Sequence, residues 1–198
     1  MRILRESDEA EVVAVFLQGE LSSERFGTAV RDALLALGEP ERLLIDPDLH
    51  DEHANQVRGA VLAATRGYGE DRELFECFPA EVEWVWARIA AAELARVRYI
   101  EYSYWNELSG GSRLAADGAR RINAGVRPFG VSNGPVRQAA RELRSGARFP
   151  PLILAGPHYD DLVCLEGNVR LTAHALAGLP IDAECLVGTA PALKRWAQ

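Results

Sequence analysis

The stretch from 149 to 188, FPPLILAGPHYDDLVCLEGNVRLTAHALAGLPIDAECLVG, constrains the fold more than any other part of the chain. It reads as a proline-led strand (PPLILAG), an Asp-rich turn (GPHYDD), and a second strand (LVCLEG) running into a glycine. A helix over Asn168–Leu176 follows, ended by Gly178, and then a third strand (AECLVG). Short β-branched and apolar runs bounded by Gly, Pro and Asp are strand signals, and the 3.6-residue pattern of VRLTAHAL marks a helix. Strands and a helix this close together can bury their apolar faces only as a small mixed α/β layer.

The junction inside this stretch concentrates chemistry. Glu166 closes a strand, Gly167 makes the turn, and Asn168 and Arg170 fall in the first helical turn. A helix N-terminus carries amide donors without intrahelical partners, and the dipole there favours an anion. Glycine lets the backbone approach a ligand closely, and a guanidinium adds a charge-assisted donor fork. Glu166 at the strand end suits a metal ion, a proton or a hydroxyl. The same residues have a plainer reading, in which Asn168 caps the helix and Arg170 pairs with Glu166. His174 lies one turn beyond Arg170 on the same face.

Upstream the pattern differs. Asp8-x-x-Glu11 opens a helix over about 9–18. Ser22 and Ser23 precede a second helix ending at Gly38, with Phe26, Val30, Leu34 and Leu37 at helical spacing. A third helix covers about 54–66, before Gly67. PAEVEWVWARIAAAEL reads as a fourth, starting near Pro79, because Val82/Trp86 and Val85/Ile89 are each four apart. From about residue 96 the content becomes β-branched and aromatic: RVRYIEYSYW reads as a strand and NELSGGSR (106–113) as a loop. Helices follow over 114–123 and 135–144, the second capped by Asn133. The expected fold class is therefore α+β, with a helical region 1–95 packed on a smaller mixed α/β domain, 96–198.

Charge follows the same division. Residues 1–94 carry 20 acidic and 9 basic side chains, and residues 95–198 carry 9 and 13. Arginine, the planar anion-binding cation, supplies nearly all the positive charge, and Lys194 is the single lysine. The acidic first half argues against a nucleic-acid partner, because it repels a phosphate backbone. No run approaches the roughly 20 apolar residues of a membrane-spanning helix. The N-terminus has no apolar leader region, so the expected location is cytoplasmic. Cys77, Cys164 and Cys185 fit no metal or redox spacing and read as buried free thiols. His50 and His53 straddle Asp51 and Glu52 in an acidic loop whose spacing matches no zinc pattern, and His158 sits in the Asp-rich turn PHYDD, which reads as a solvated turn ahead of a metal or base role.

The segment 149–188, with Gly167-Asn168-Val169-Arg170-Leu171-Thr172-Ala173 as a G-x-x-R-x-x-A signature, resembles the core of the ParB/sulfiredoxin-like superfamily. YIEYSYW and NELSGGSR occupy the place of that family's first box. The likeness covers about residues 96–188. It implies a nucleotide-binding fold, whose members include CTP-binding partition proteins, ATP-dependent sulfiredoxins and free-serine kinases. By resemblance, Gly167, Asn168, Arg170 and His174 face the phosphates of ATP, CTP or ADP, and Ser109, Gly110, Gly111, Ser112 and Arg113 close the opposite side. Glu166 holds Mg or acts as base, with Glu107 second in that role. The helical region forms a wall or lid that selects a small-molecule acceptor. Asn168 and Val169 stand where sulfiredoxins carry cysteine and histidine, so sulfinic acid reduction has no attacking thiol. The implied activity is phosphoryl transfer or nucleotide hydrolysis. The alternative is a regulatory module that keeps the fold without chemistry and grips a protein through its helical half.

Overall fold

The computed structural model describes residues 1–197. In chain order the elements are β1 (Arg2–Ser7), α1 (Glu9–Leu21), α2 (Gly27–Leu37), α3 (Arg42–Ile45), α4 (Glu52–Arg66), β2 (Glu83–Ile89), α5 (Ala91–Leu94), β3 (Arg98–Tyr99), α6 (Ser103–Ser109), α7 (Ala115–Asn123), α8 (Gly134–Arg144), β4 (Leu152–His158), β5 (Asp161–Glu166), α9 (Asn168–Ala177), β6 (Ala183–Thr189) and α10 (Lys194–Ala197). The class is α+β. The chain forms two compact units, one of residues 7–84 and one of residues 1–6 with 85 onward.

The 7–84 unit is helical. Asp8 caps α1 by accepting from the Glu11 amide at 2.9 Å, and Asp51 caps α4 by accepting from Ala54 at 3.0 Å. Gly38 and Gly67 end α2 and α4 in the left-handed conformation. Phe16, Leu17, Val30, Leu34, Leu44, Val61 and Leu62 are buried almost completely. Leu37, expected on the apolar face of α2, is exposed. Two arginines are interior. Arg58, 1% exposed, donates to the carbonyls of Leu43 at 3.1 Å and Asp48 at 2.8 Å, and to Asn55 Oδ1. Arg66 pairs with the buried Glu20 at 3.2 Å and lies over the rings of Phe16 and Phe26.

The other unit is built on a six-stranded sheet of order β1-β2-β6-β4-β5-β3. β4 and β5 form an antiparallel hairpin, while β6 runs parallel to β4 and β3 parallel to β5. The hairpin bulges near Gly156, where a Cβ would lie 1.9 Å from the Asp161 carbonyl, so only glycine fits. Leu152, Leu154, Leu162, Cys164, Cys185 and Val187 share one core with Val85, Ala87 and Ile89 of β2 and Leu171 of α9. α8 packs on α9 through Ala139, Ala140, Leu143, Ala173 and Ala177. Their small side chains let the two helices approach closely.

Three expectations are corrected here. The 79–94 stretch is the strand β2 followed by the short α5, and the sheet unit accordingly starts near residue 85 rather than 96. A spacing of four is one helical turn and also two strand repeats, so Val85/Ile89 fits both periods. Burial of Val85, Ala87 and Ile89 shows the period of two. RVRYIEYSYW contributes only two strand residues, and α6 starts at Ser103. Its aromatics pack on each other instead of lining a strand: Tyr99 stacks on Trp105 at 4.8 Å, and Tyr104 meets Trp105 edge-on. Asn133 is not a side-chain cap of α8; its Nδ2 donates to the Val126 carbonyl at 2.7 Å.

β1 carries Arg5 over the ring of Trp86 at 5.2 Å, and the Met1 ammonium pairs with Glu93. At the other edge the Tyr99 amide donates to the Arg113 carbonyl at 2.7 Å, and Arg98 bridges Leu114. These contacts cap the two-residue β3, an edge otherwise open to further strand pairing. No helix among the described residues is long and apolar enough to cross a membrane.

Candidate phosphate turn at the start of α9

β5 and α9 meet as the sequence pattern predicts. Glu166 is the last strand residue, and Gly167 occupies the cap position at φ 100°, ψ 22°. Asn168 is thus the first helical residue and not the cap, which corrects the capping reading. The first helical bond runs from the Leu171 amide to the Gly167 carbonyl at 2.8 Å. The amides of Asn168, Val169 and Arg170 precede it, so the helix itself supplies them no acceptor.

Arg170 folds back over this turn. Its Nη2 donates to Glu166 Oε1 at 3.0 Å, and both side chains are largely covered, at 14% and 25% exposed. A Cβ added to Gly167 would lie 2.9 Å from Arg170 Nη2, 3.0 Å from Nε and 2.6 Å from Leu152 Cδ2. The guanidinium and a leucine methyl therefore pack on the glycine. The pairing of Arg170 with Glu166 is present in this form of the protein.

Two polar atoms at the same turn are buried without a partner, Asn168 Oδ1 and Arg170 Nε. Asn168 is 9% exposed. Buried polar groups are almost always satisfied, because an orphan costs about 1–3 kcal/mol. Seven other buried side-chain atoms are also unpartnered among the described residues, but here one acceptor and one donor lie within a single helical turn.

The support beneath the turn is a hydrogen-bonded column. Thr172 Oγ1 donates to the Asn168 carbonyl at 2.7 Å and meets the Tyr99 hydroxyl at 2.7 Å, all of it buried. Gly118 of α7 allows this, since a Cβ there would lie 2.5 Å from the Tyr99 oxygen. Cys164 Sγ contacts the Glu166 carbonyl at 3.2 Å. Burial pushes the Cys164 thiol well up, with the Glu166 charge adding to it, and pushes Cys185 up to about 12. Both remain protonated and inert. Cys77 is exposed, which corrects its reading as a buried thiol. His174 is half-buried on α9, and desolvation lowers its pKa.

The other residues singled out lie on α6 and the loop after it. Glu107 is exposed and faces Arg121 Nη2 at 3.8 Å. Ser109 is buried; its hydroxyl donates to the Trp105 carbonyl at 2.8 Å and accepts from the Arg113 amide at 2.9 Å. Gly110 and Gly111 take left-handed conformations and are exposed, as is Ser112. Arg113 is 7% exposed; its Nε donates to the Tyr99 carbonyl at 3.0 Å and its Nη2 to the Trp196 carbonyl at 3.3 Å. Burial lowers its pKa, opposed by the nearby Glu101 charge. Ser109 thus spends its hydroxyl on the protein itself, and so do Nε and Nη2 of Arg113, while its buried Nη1 has no partner among the described residues. The structure brings Glu166, Gly167, Asn168 and Arg170 together, with His174 one turn further along. Sequence reasoning did not single out Leu152, Tyr99 or Thr172, which seal and support the turn, because nothing local marks an apolar or hydroxyl residue as a distant neighbour.

No family model, curated protein or solved structure matches this chain.

Proposed function

We propose that the sheet-bearing unit binds a nucleotide, ATP, CTP or ADP, with a phosphate at the N-terminus of α9, and transfers or hydrolyses that phosphate. The observation that carries this reading is the pair of buried, unpartnered atoms at one helix start, Asn168 Oδ1 and Arg170 Nε. An acceptor beside a cationic donor suits a ligand with a hydroxyl and an anionic oxygen, as a ribose phosphate has. The free amides of the first helical turn and the dipole add to the attraction. The resemblance of the G-x-x-R turn to the ParB/sulfiredoxin-like superfamily points the same way.

In this reading Arg170 exchanges one anion for another. It turns from the Glu166 carboxylate to the phosphate, and Glu166 is released. Glu166 is then the residue that would hold Mg²⁺, an ion that uses one or two carboxylates and takes phosphate oxygens and water for the rest. One carboxylate beside a phosphate turn fits that donor set. When bound, the ion neutralises charge on the phosphate oxygens. Glu166 alternatively accepts the proton of a small-molecule hydroxyl, for which it must lie within hydrogen-bond reach. The buried thiols play no nucleophilic part.

The Glu166–Arg170 ion pair also favours a second reading, a nucleotide-responsive regulatory module. There the exchange of partners at Arg170 is the signal, and no bond is broken. Phosphate release from each nucleotide with Mg²⁺, with wild type and Glu166→Gln, separates the two. The enzyme reading expects turnover that Glu166→Gln abolishes while nucleotide binding persists. Binding without turnover in the wild type supports the regulatory reading, and no binding of any of the three nucleotides refutes both.

A further inference from the structure

The sheet ends on two unlike edges. β3, at one end, is two residues long, and the Arg113–Leu114 segment closes it off. β1, at the other end, is six residues long and pairs with β2 on one side only. Arg2, Ile3, Leu4, Arg5 and Glu6 are all exposed, Ile3 at 50% and Leu4 at 42%. Along the free side of such a strand, alternate backbone N–H and C=O groups face outward and offer a template for one more strand. Edges are commonly blunted by proline, by lysine or by a very short strand. RILRES has neither residue and the length of an ordinary strand. Arg5 is drawn over the Trp86 ring, and its Nη1 donates to the Glu6 carbonyl at 3.1 Å, near the end of the strand.

The strand is complementary to itself. Side chains alternate along it, so Arg2, Leu4 and Glu6 share one face and Ile3 and Arg5 the other. Two copies running antiparallel about Leu4 set each Arg2 opposite a Glu6, Leu4 opposite Leu4, and each Ile3 opposite an Arg5. One face then carries an ion pair, a leucine pair and a second ion pair. On the other, each Ile3 lies against the apolar stem of an arginine. Opposite charges and apolar side chains directly across from each other are the pairs that stabilise antiparallel strands. Arg2 and Glu6 are in no ion pair of their own among the described residues. Other registers do worse. Centring on Ile3 or on Arg5 loses both ion pairs, and the second sets Arg5 against Arg5. Parallel pairing in register sets every charge against its like.

We propose that the free edge of β1 takes β1 of a second copy of this chain, antiparallel and centred on Leu4, so that the two sheets become one across a twofold axis. The same surface is used by both copies, so the contact closes at a dimer. The capped β3 edge offers no site for further growth. β1 is separated from β5 and its phosphate turn by β2, β6 and β4 in the sheet order, so the dimer does not depend on nucleotide.

Sedimentation velocity of the full chain tests this. The wild type should pass from monomer to dimer, and to nothing larger, as its concentration rises to about 500 μM, where an association with Kd in the micromolar range is nearly complete. Glu6→Arg sets like charges opposite each other at both ends of the pairing and should weaken the dimer about tenfold or more. Arg2→Glu should do the same. The double variant Arg2→Glu/Glu6→Arg restores both ion pairs in reverse and should dimerise as the wild type does. An equimolar mixture of the two single variants should recover a dimer made of one copy of each. All these positions are exposed, and circular dichroism checks that each variant is folded. A wild type that stays monomeric over the whole range overturns the proposal. So do single variants that dimerise as tightly as the wild type, or a double variant that fails to recover.

Discussion

The Arg170 guanidinium lies on the Cα of Gly167 and donates to Glu166 across one turn, Nη2 to Oε1 at 3.0 Å. Glycine is required twice over at position 167, by the φ of 100° and by the absence of room for a methyl group beside Arg170 and Leu152. Gly167→Ala is expected to lower stability by about 1–3 kcal/mol, the range for a non-glycine residue forced into such a conformation. Urea unfolding measures it. An unchanged midpoint would mean that the turn is not held as described.

Arg58 should be among the costliest positions in the helical unit. Its guanidinium fills the acceptor needs of the Leu43 and Asp48 carbonyls. Arg58→Met keeps most of the volume and removes every donor. The expected loss is about 2–4 kcal/mol, from two carbonyls left without a protein donor. Circular dichroism over a urea gradient reads the loss directly. A loss below about 0.5 kcal/mol, the size of an ordinary surface change, would contradict the role.

His174 makes stability depend on pH with a defined sign. Desolvation lowers its pKa from 6.5 in the folded chain, so the unfolded chain binds the proton more readily. Its contribution is fully present above pH 6.5 and declines as the pH falls from there towards the folded-state value. The wild type should therefore lose more stability than His174→Gln between about pH 7 and pH 5. A difference between the two that does not vary with pH would rule out a buried, neutral imidazole.

The three cysteines should react unequally. Cys77 is exposed, whereas Cys164 and Cys185 are buried, and their thiols are held protonated by desolvation. A thiol-specific chromophore should label one site quickly and the other two only on unfolding. Rapid labelling of all three would contradict the sheet core.

The β5–Gly167–α9 junction was legible because every signal is local. A short apolar strand ends on an acid, a glycine follows, and the next ten residues carry helical periodicity. The hairpin before it and β6 after it were legible for the same reason. β2 was not, because Val85 and Ile89 at a spacing of four satisfy both periods, and only the sheet neighbours decide between them. β3 was overread, because Tyr99, Tyr104 and Trp105 carry β-propensity but use it to stack on one another. At the candidate site the charged residues could be named in advance. Leu152 on the glycine and the Tyr99–Thr172 column could not, since they arrive from 15 and 73 residues away.

The central claim is that the turn at 167–170 receives an anion through Arg170 and the first amides of α9. Thermal shift with ATP, CTP and ADP in the presence of Mg²⁺, on wild type and Arg170→Ala, tests it most directly. At a nucleotide concentration about a hundred times Kd, binding adds about 2.7 kcal/mol to stability. That is a rise of about 5–10 °C in Tm for a chain of this size. The account predicts such a rise for at least one nucleotide in the wild type and its loss in Arg170→Ala. A rise of equal size in both proteins, or none in the wild type with any of the three, would contradict it.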